Sequence, residues 1–190
     1  AGRRGRHRLP SRAMQDAIPG RSGAMAAVLG LSADDVARLI EPVQNVWVAN
    51  LNSPAQVVIS GDAPAVKDAA IVLKENGAKR VVPLDVAVAS HCPLMEPAGK
   101  SLREYLKGVR FERPHSRVVF NATAREESDP EKIRENLALQ LVSPVRWEES
   151  VRYAADQGIG RFIEIGPRSV LAPLVKRIVP QAEVEVITSQ

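Results

Sequence analysis

The chain has 190 residues, 45% hydrophobic and 25% charged, enough to bury a normal core in one domain or in a domain with a smaller insert. Its formal charge of +4 belongs to one end: Arg3, Arg4, Arg6, Arg8 and Arg12 crowd the first twelve residues, and the rest holds 21 basic against 22 acidic side chains. A nearly neutral body with 4% aromatic residues offers no basic-aromatic platform, which argues against nucleic acid as a partner.

Residues 1–12, AGRRGRHRLPSR, have little to bury and read as a disordered basic tail. AMQDAIP then reads as the last turns of a helix stopped by Pro19 and Gly20. GAMAAVLGL reads as a buried strand, although its alanines also suit a helix. In SADDVARLI, Ser32 stands as an N-cap, with acids in the first turn and Val36, Leu39 and Ile40 at helical spacing. VWVANL and QVVISG are β-rich and separated by the turn residues NSPA, which predicts a hairpin. APAVKDAAIVLKENGAK predicts an amphipathic helix stopped at Gly77, and RVVPLDVAV a returning strand. Strand, helix, strand, strand, helix, strand is the order of a ferredoxin-like split unit, assigned here to residues 23–86.

The remainder alternates differently. CPLMEPAGKSLREYLKGV predicts a helix and SRVVFNAT a strand. DPEKIRENLALQLVSPV predicts a helix with Asp129 at its N-cap and Pro130 in its first turn. RWEESVRYAADQG predicts another helix, GRFIEIG a strand, RSVLAPLVKRIV a helix and AEVEVIT a last short strand. Such alternation predicts an α/β layer with a mostly parallel sheet.

Several chemistries are not expected. His7, His91 and His115 are scattered and Cys92 is the only cysteine, so no metal centre converges. The lone cysteine also excludes an internal disulfide framework and fits a reducing, cytoplasmic setting. No apolar run reaches membrane-spanning length or follows the basic start as a secretory signal would. Phosphate-binding glycine loops are absent, and Gly20-Arg21-Ser22-Gly23 misses a G-x-S-x-G elbow by one residue. His91 directly precedes Cys92 where an apolar run ends and a helix begins, a common place for a catalytic side chain. Cys92 could be a nucleophile with His91 as its base, but a small core residue is the more ordinary role of a cysteine among apolar neighbours.

RAMQDAIP, GAMAAVLGL, NSPAQVVISG, GAKRVVPLDV, SHCPLM, QLVSPVRWEESV and EIGPRSVLAPLVKRI resemble, in the same order, successive signatures of malonyl-CoA:acyl carrier protein transacylases. The resemblance implies the C-terminal part of an α/β-hydrolase-like acyltransferase domain with an inserted ferredoxin-like subdomain. Residues 1–22 would then be a divergent tail with a remnant of a large-domain helix, residues 23–86 the small subdomain and residues 87–190 the rest of the large domain. It implies ping-pong malonyl transfer from coenzyme A to acyl carrier protein in fatty-acid synthesis, by a cytoplasmic enzyme that is monomeric when intact. Malonyl-CoA and acyl carrier protein would be its partners, without nucleic acid, membrane, metal or resident cofactor; the phosphopantetheine arrives on the carrier protein. By the same resemblance His91 is the general base, Gln140 helps to orient it, Asn50 and Asn52 border the acyl pocket, and Met14 lines it. Cys92 falls at a non-catalytic position.

The chain also departs from that pattern. It contains no G-H-S-x-G elbow, and Pro10-Ser11 stand where the family carries an Arg-Gly pair whose arginine holds the malonyl carboxylate. Without serine nucleophile or oxyanion donors, the chain alone is expected to be inactive. Two other readings are an acyltransferase-domain fragment of a polyketide synthase and a non-catalytic ferredoxin-like binding module, the latter needing residues 23–86 only.

Overall fold

A computed structural model describes residues 23–86 and 88–188. Strands β1 (Gly23–Leu29), β2 (Val46–Ser53), β3 (Gln56–Asp62) and β4 (Arg80–Pro83) form one sheet in the order β2-β3-β1-β4, with every neighbouring pair antiparallel. Helices α1 (Ala33–Ile40) and α2 (Ala63–Glu75) cover one face of it. Period-two alternation puts Ala26, Val28, Val57 and Ile59 on that face, against Val36 and Ile40 of α1 and Val66, Ala69 and Leu73 of α2. Each large aliphatic side chain so buried contributes about 1.5–3 kcal/mol.

The local signals act as their chemistry demands. The Ser32 hydroxyl oxygen accepts from the Asp35 amide at 3.2 Å, closing the first turn of α1. Gly77, at φ +100°, takes the left-handed turn that ends α2. Gly61 stands where β3 passes tightly against the entry to β2: a Cβ there would lie 2.1 Å from the Asn45 carbonyl oxygen.

The opposite face of this sheet is also dry. Met25, Ala49 and Val58 are buried there, and helices α5 (Trp147–Asp156) and α6 (Ala172–Ile178) pack against β2. The main chain seals the junction. The Val145 amide donates to the Ala49 carbonyl and the Leu51 amide donates to the Val145 carbonyl, both at 2.8 Å.

Three expectations are corrected. RVVPLDVAV forms a strand only over Arg80–Pro83: after one further bond, from the Leu84 amide to the Met25 carbonyl, the chain turns off the sheet, with the Val86 amide donating to the Leu84 carbonyl. SRVVFNAT shortens to β5 (Val119–Phe120), which turns back through Ala124 at φ +52° onto β6 (Arg125–Glu126). The cysteine-led helix begins with a 3-10 turn, Pro93–Met95, and becomes α3 only from Glu96 to Lys107. Among the described residues, the parallel strands are β7 (Arg161–Ile165) and β8 (Glu183–Ile187), beside a single parallel bridge between Asn50 and Val145.

Helix α4 (Pro130–Val142) packs on α3 and on the 3-10 turn, with Met95 and Ala98 buried against Leu141 and Val142. Its start is fastened by Asp129, whose Oδ1 accepts from the amides of Glu131 at 2.9 Å and Lys132 at 3.2 Å. Losing such a cap leaves amides unpaired, so Asp129→Ala should cost about 0.5–2 kcal/mol in urea unfolding. Asp129→Ser should restore most of the loss. Equal losses from both would show that the cap bonds are not what Asp129 contributes.

Candidate active site

The turn before α3 holds His91 in an unusual backbone. Its φ of +59° is left-handed, a region that side chains with a Cβ rarely adopt. The packing around the turn supports it. Gly23 at the head of β1 lies so near Ala89 that a Cβ there would meet the Ala89 amide nitrogen at 2.6 Å. Behind the turn, the buried Cys92 sulfur accepts from the Ser60 hydroxyl of β3 at 3.7 Å and donates to the Ala89 carbonyl at 3.6 Å.

This arrangement aims the half-buried imidazole at α4, where His91 Nδ1 lies 2.7 Å from the Gln140 main-chain carbonyl oxygen. A carbonyl can only accept, so Nδ1 carries the proton and donates it. The neutral ring then keeps its lone pair on Nε2, which is the atom able to take a proton from a nucleophile.

His91 and Gln140 are therefore joined directly, through the Gln140 backbone and not its side-chain amide. Asn50 and Asn52 sit half-buried on β2, and Asn50 pairs with Val145, just beyond the end of α4. That linkage ties both asparagines' strand to the helix that holds the histidine. Met14 lies outside the described residues. The sequence reading missed Ser60 and Val145. The first had a faint signal, as the one hydroxyl in the continuous buried run Val57–Ser60; the second contributes only backbone.

Cys92 is inert by environment. It is buried, and desolvation pushes its thiol above the ordinary value, with the Ser60 hydrogen bond pulling the other way. A thiol raised on folding favours the protonated form, so its contribution is complete below the unfolded pKa and is lost as pH rises through the folded one. Alkylation of the native chain near pH 8 should thus be many-fold slower than in urea. Equal rates would put Cys92 in contact with solvent. Among the described residues, no trio of His, Cys, Asp or Glu side chains could hold a metal ion, and no helix is long and apolar enough to cross a membrane.

The family model of the acyl transferase domain matches residues 9–189. The chain belongs to the acyl transferase family. Among its relatives, the malonyl CoA-acyl carrier protein transacylase of Escherichia coli K12 is 44% identical over 87% of this chain and 55% of its own length. That of Bacillus subtilis is 42% identical over 87% of this chain and 53% of its own. An acyl carrier protein S-malonyltransferase structure from Vibrio cholerae superposes with a TM-score of 0.92 at 42% identity, covering 96% of this chain and 60% of that one. Another acyl transferase of like fold, a malonyl-transacylase bound to a type II polyketide-synthase acyl carrier protein, superposes with a TM-score of 0.93. The chain thus spans little more than half the length of the curated acyl transferases it matches. A binding module of residues 23–86 alone does not account for a family match that continues to residue 189.

Proposed function

We propose that this chain carries the general-base half of a malonyl-CoA:acyl carrier protein transacylase of fatty-acid synthesis. The observation that carries the reading is the His91 ring, with Nδ1–H committed to the Gln140 carbonyl and Nε2 left basic. In the reaction Nε2 takes the proton of a serine hydroxyl as that oxygen attacks the thioester carbonyl of malonyl-CoA, and coenzyme A leaves as its thiol. The imidazolium returns the proton to the departing thiolate. The second half-reaction repeats the exchange with the phosphopantetheine thiol of acyl carrier protein. Asn50, Asn52 and Met14 would border the malonyl group, and no resident cofactor is needed. The single free cysteine fits a cytoplasmic setting.

In this reading residues 23–86 are a ferredoxin-like subdomain inserted in an α/β-hydrolase-like domain, and residues 87–190 are the C-terminal part of that domain. The all-antiparallel order β2-β3-β1-β4 with two helices on one face supports the first assignment, and the parallel β7–β8 pair supports the second. On this reading the serine is supplied by the share of the relatives' length that this chain does not span.

The test is transfer of radiolabelled malonyl from coenzyme A to holo acyl carrier protein. The chain alone should stay at background. Fused behind the upstream part of the Vibrio cholerae enzyme, it should turn over. A folded fusion that leaves the carrier protein unlabelled would overturn the reading.

A further inference from the structure

We infer that Ser60 is a positioning residue for His91, acting through Cys92 to hold the bend that presents the imidazole to α4. The inference deepens the functional reading above and rests on it.

A left-handed backbone at a residue with a Cβ, φ +59° for His91, persists only where its surroundings hold it. Here the hold comes from two paired strands, β1 and β3, in which Met25 stands opposite Ser60. Gly23 of β1 presses on Ala89, and Ser60 of β3 reaches the same residue through the cysteine sulfur. Period two places Ser60 with Val58 on the second face of the sheet, where Met25 and Ala49 are also buried. It is the face that meets the bend.

The bonds form a directed relay. The Ser60 hydroxyl donates to the Cys92 sulfur at 3.7 Å, and the thiol donates in turn to the Ala89 carbonyl at 3.6 Å. Because the second bond runs from residue 92 back to residue 89, it ties off the bend that contains His91. The Met95 amide, donating to the Cys92 carbonyl at 3.0 Å, fixes the far side of the cysteine. A thiol is a weak donor and acceptor, but Ser60, Ala89 and Cys92 are all 1% exposed or less. Water cannot replace a partner lost at that depth, and its exclusion strengthens both bonds.

Removing the Ser60 hydroxyl frees the sulfur to turn away from Ala89. The bend then keeps only the Gly23 contact, and the ring loses its fixed approach to the Gln140 carbonyl. A serine that merely filled space would act otherwise. Its loss would lower stability and leave the ring's hydrogen bond intact.

The experiment follows the His91 ring by 15N NMR in the full chain, where no transfer activity is needed. In Ser60→Ala the Nδ1 proton should exchange with solvent at least tenfold faster than in the unsubstituted chain. Cys92→Ala should do the same, and the double variant should be no worse than either, because all three break one relay. Val58→Ala, on the same strand and face, should lower the melting temperature without freeing the proton. In the fusion behind the Vibrio cholerae segment, Ser60→Ala should lower kcat at least tenfold and leave KM unchanged. Unchanged exchange in Ser60→Ala, additive effects in the double variant, or equal release by Val58→Ala would overturn the proposal. A proton freed by Ser60→Ala with transfer undiminished upholds Ser60 as the residue that positions His91 and overturns His91 as the base instead.

Discussion

Replacing His91 by alanine in a serine-containing fusion is expected to lower malonyl transfer by about two to four orders of magnitude, the usual contribution of a general base. On the proposed mechanism the loss should fall on kcat, because a general base acts on the proton in flight and does not grip the acyl group. Alanine alone would confound two effects. The backbone at residue 91 is left-handed, a region that histidine and asparagine populate more readily than alanine does, so the alanine variant also strains the turn. Asparagine tolerates that conformation better, so His91→Asn should keep the fold and lose the rate. Gln140→Ala is the complementary control. Its carbonyl remains, so the 15N shifts of the His91 ring should still report a protonated Nδ1. An unchanged rate in both His91 variants would remove the residue from the mechanism.

Gly61→Val is expected to unfold the four-stranded sheet. The added Cβ would meet the Asn45 carbonyl oxygen at 2.1 Å and the Val46 Cα at 2.8 Å, and both obstacles are backbone. Asn45 cannot withdraw cheaply, since it already sits at φ +62° and its carbonyl accepts from the Asp62 amide at 3.0 Å. Overpacking typically costs about 1–3 kcal/mol where side chains can give way. Here β2 itself must leave β3, so the loss should exceed that range and the variant should lose its cooperative thermal transition. Gly108→Ala is a fair comparison, because the added carbon would lie 3.7 Å from its nearest neighbour and should be tolerated. Similar melting curves for the two variants would refute the close approach at Gly61.

What could be read in the sequence was chemistry completed within a few residues. Ser32 and Asp129 cap helices because their amide partners lie two or three positions away, and Gly77 stops α2 by its own backbone freedom. Strands whose length depends on a distant partner were overdrawn. RVVPLDVAV and SRVVFNAT have the composition of strands throughout, yet pair only where β1 and β6 reach them. The same division runs through the site. His91 and Gln140 stood out from the blocks SHCPLM and QLVSPVRW, but the acceptor is a main-chain carbonyl, a group that every residue possesses. Nor could periodicity reveal that Ser60 lies under Cys92 or that Val145 joins β2, since these contacts span 32 residues and about three times as many.

The two hydrogen bonds that clasp Val145 between Ala49 and Leu51 restrict how the molecule can open. Sliding β2 past that point by even one residue, about 3.3 Å, would break both bonds and turn alternate side chains to the wrong face. The four-stranded unit and α4 therefore move as one lever, with His91 anchored to α4 near the clasp. Any hinge opening at this seam must first break both bonds, so β2 and the imidazole keep their register for as long as the clasp holds.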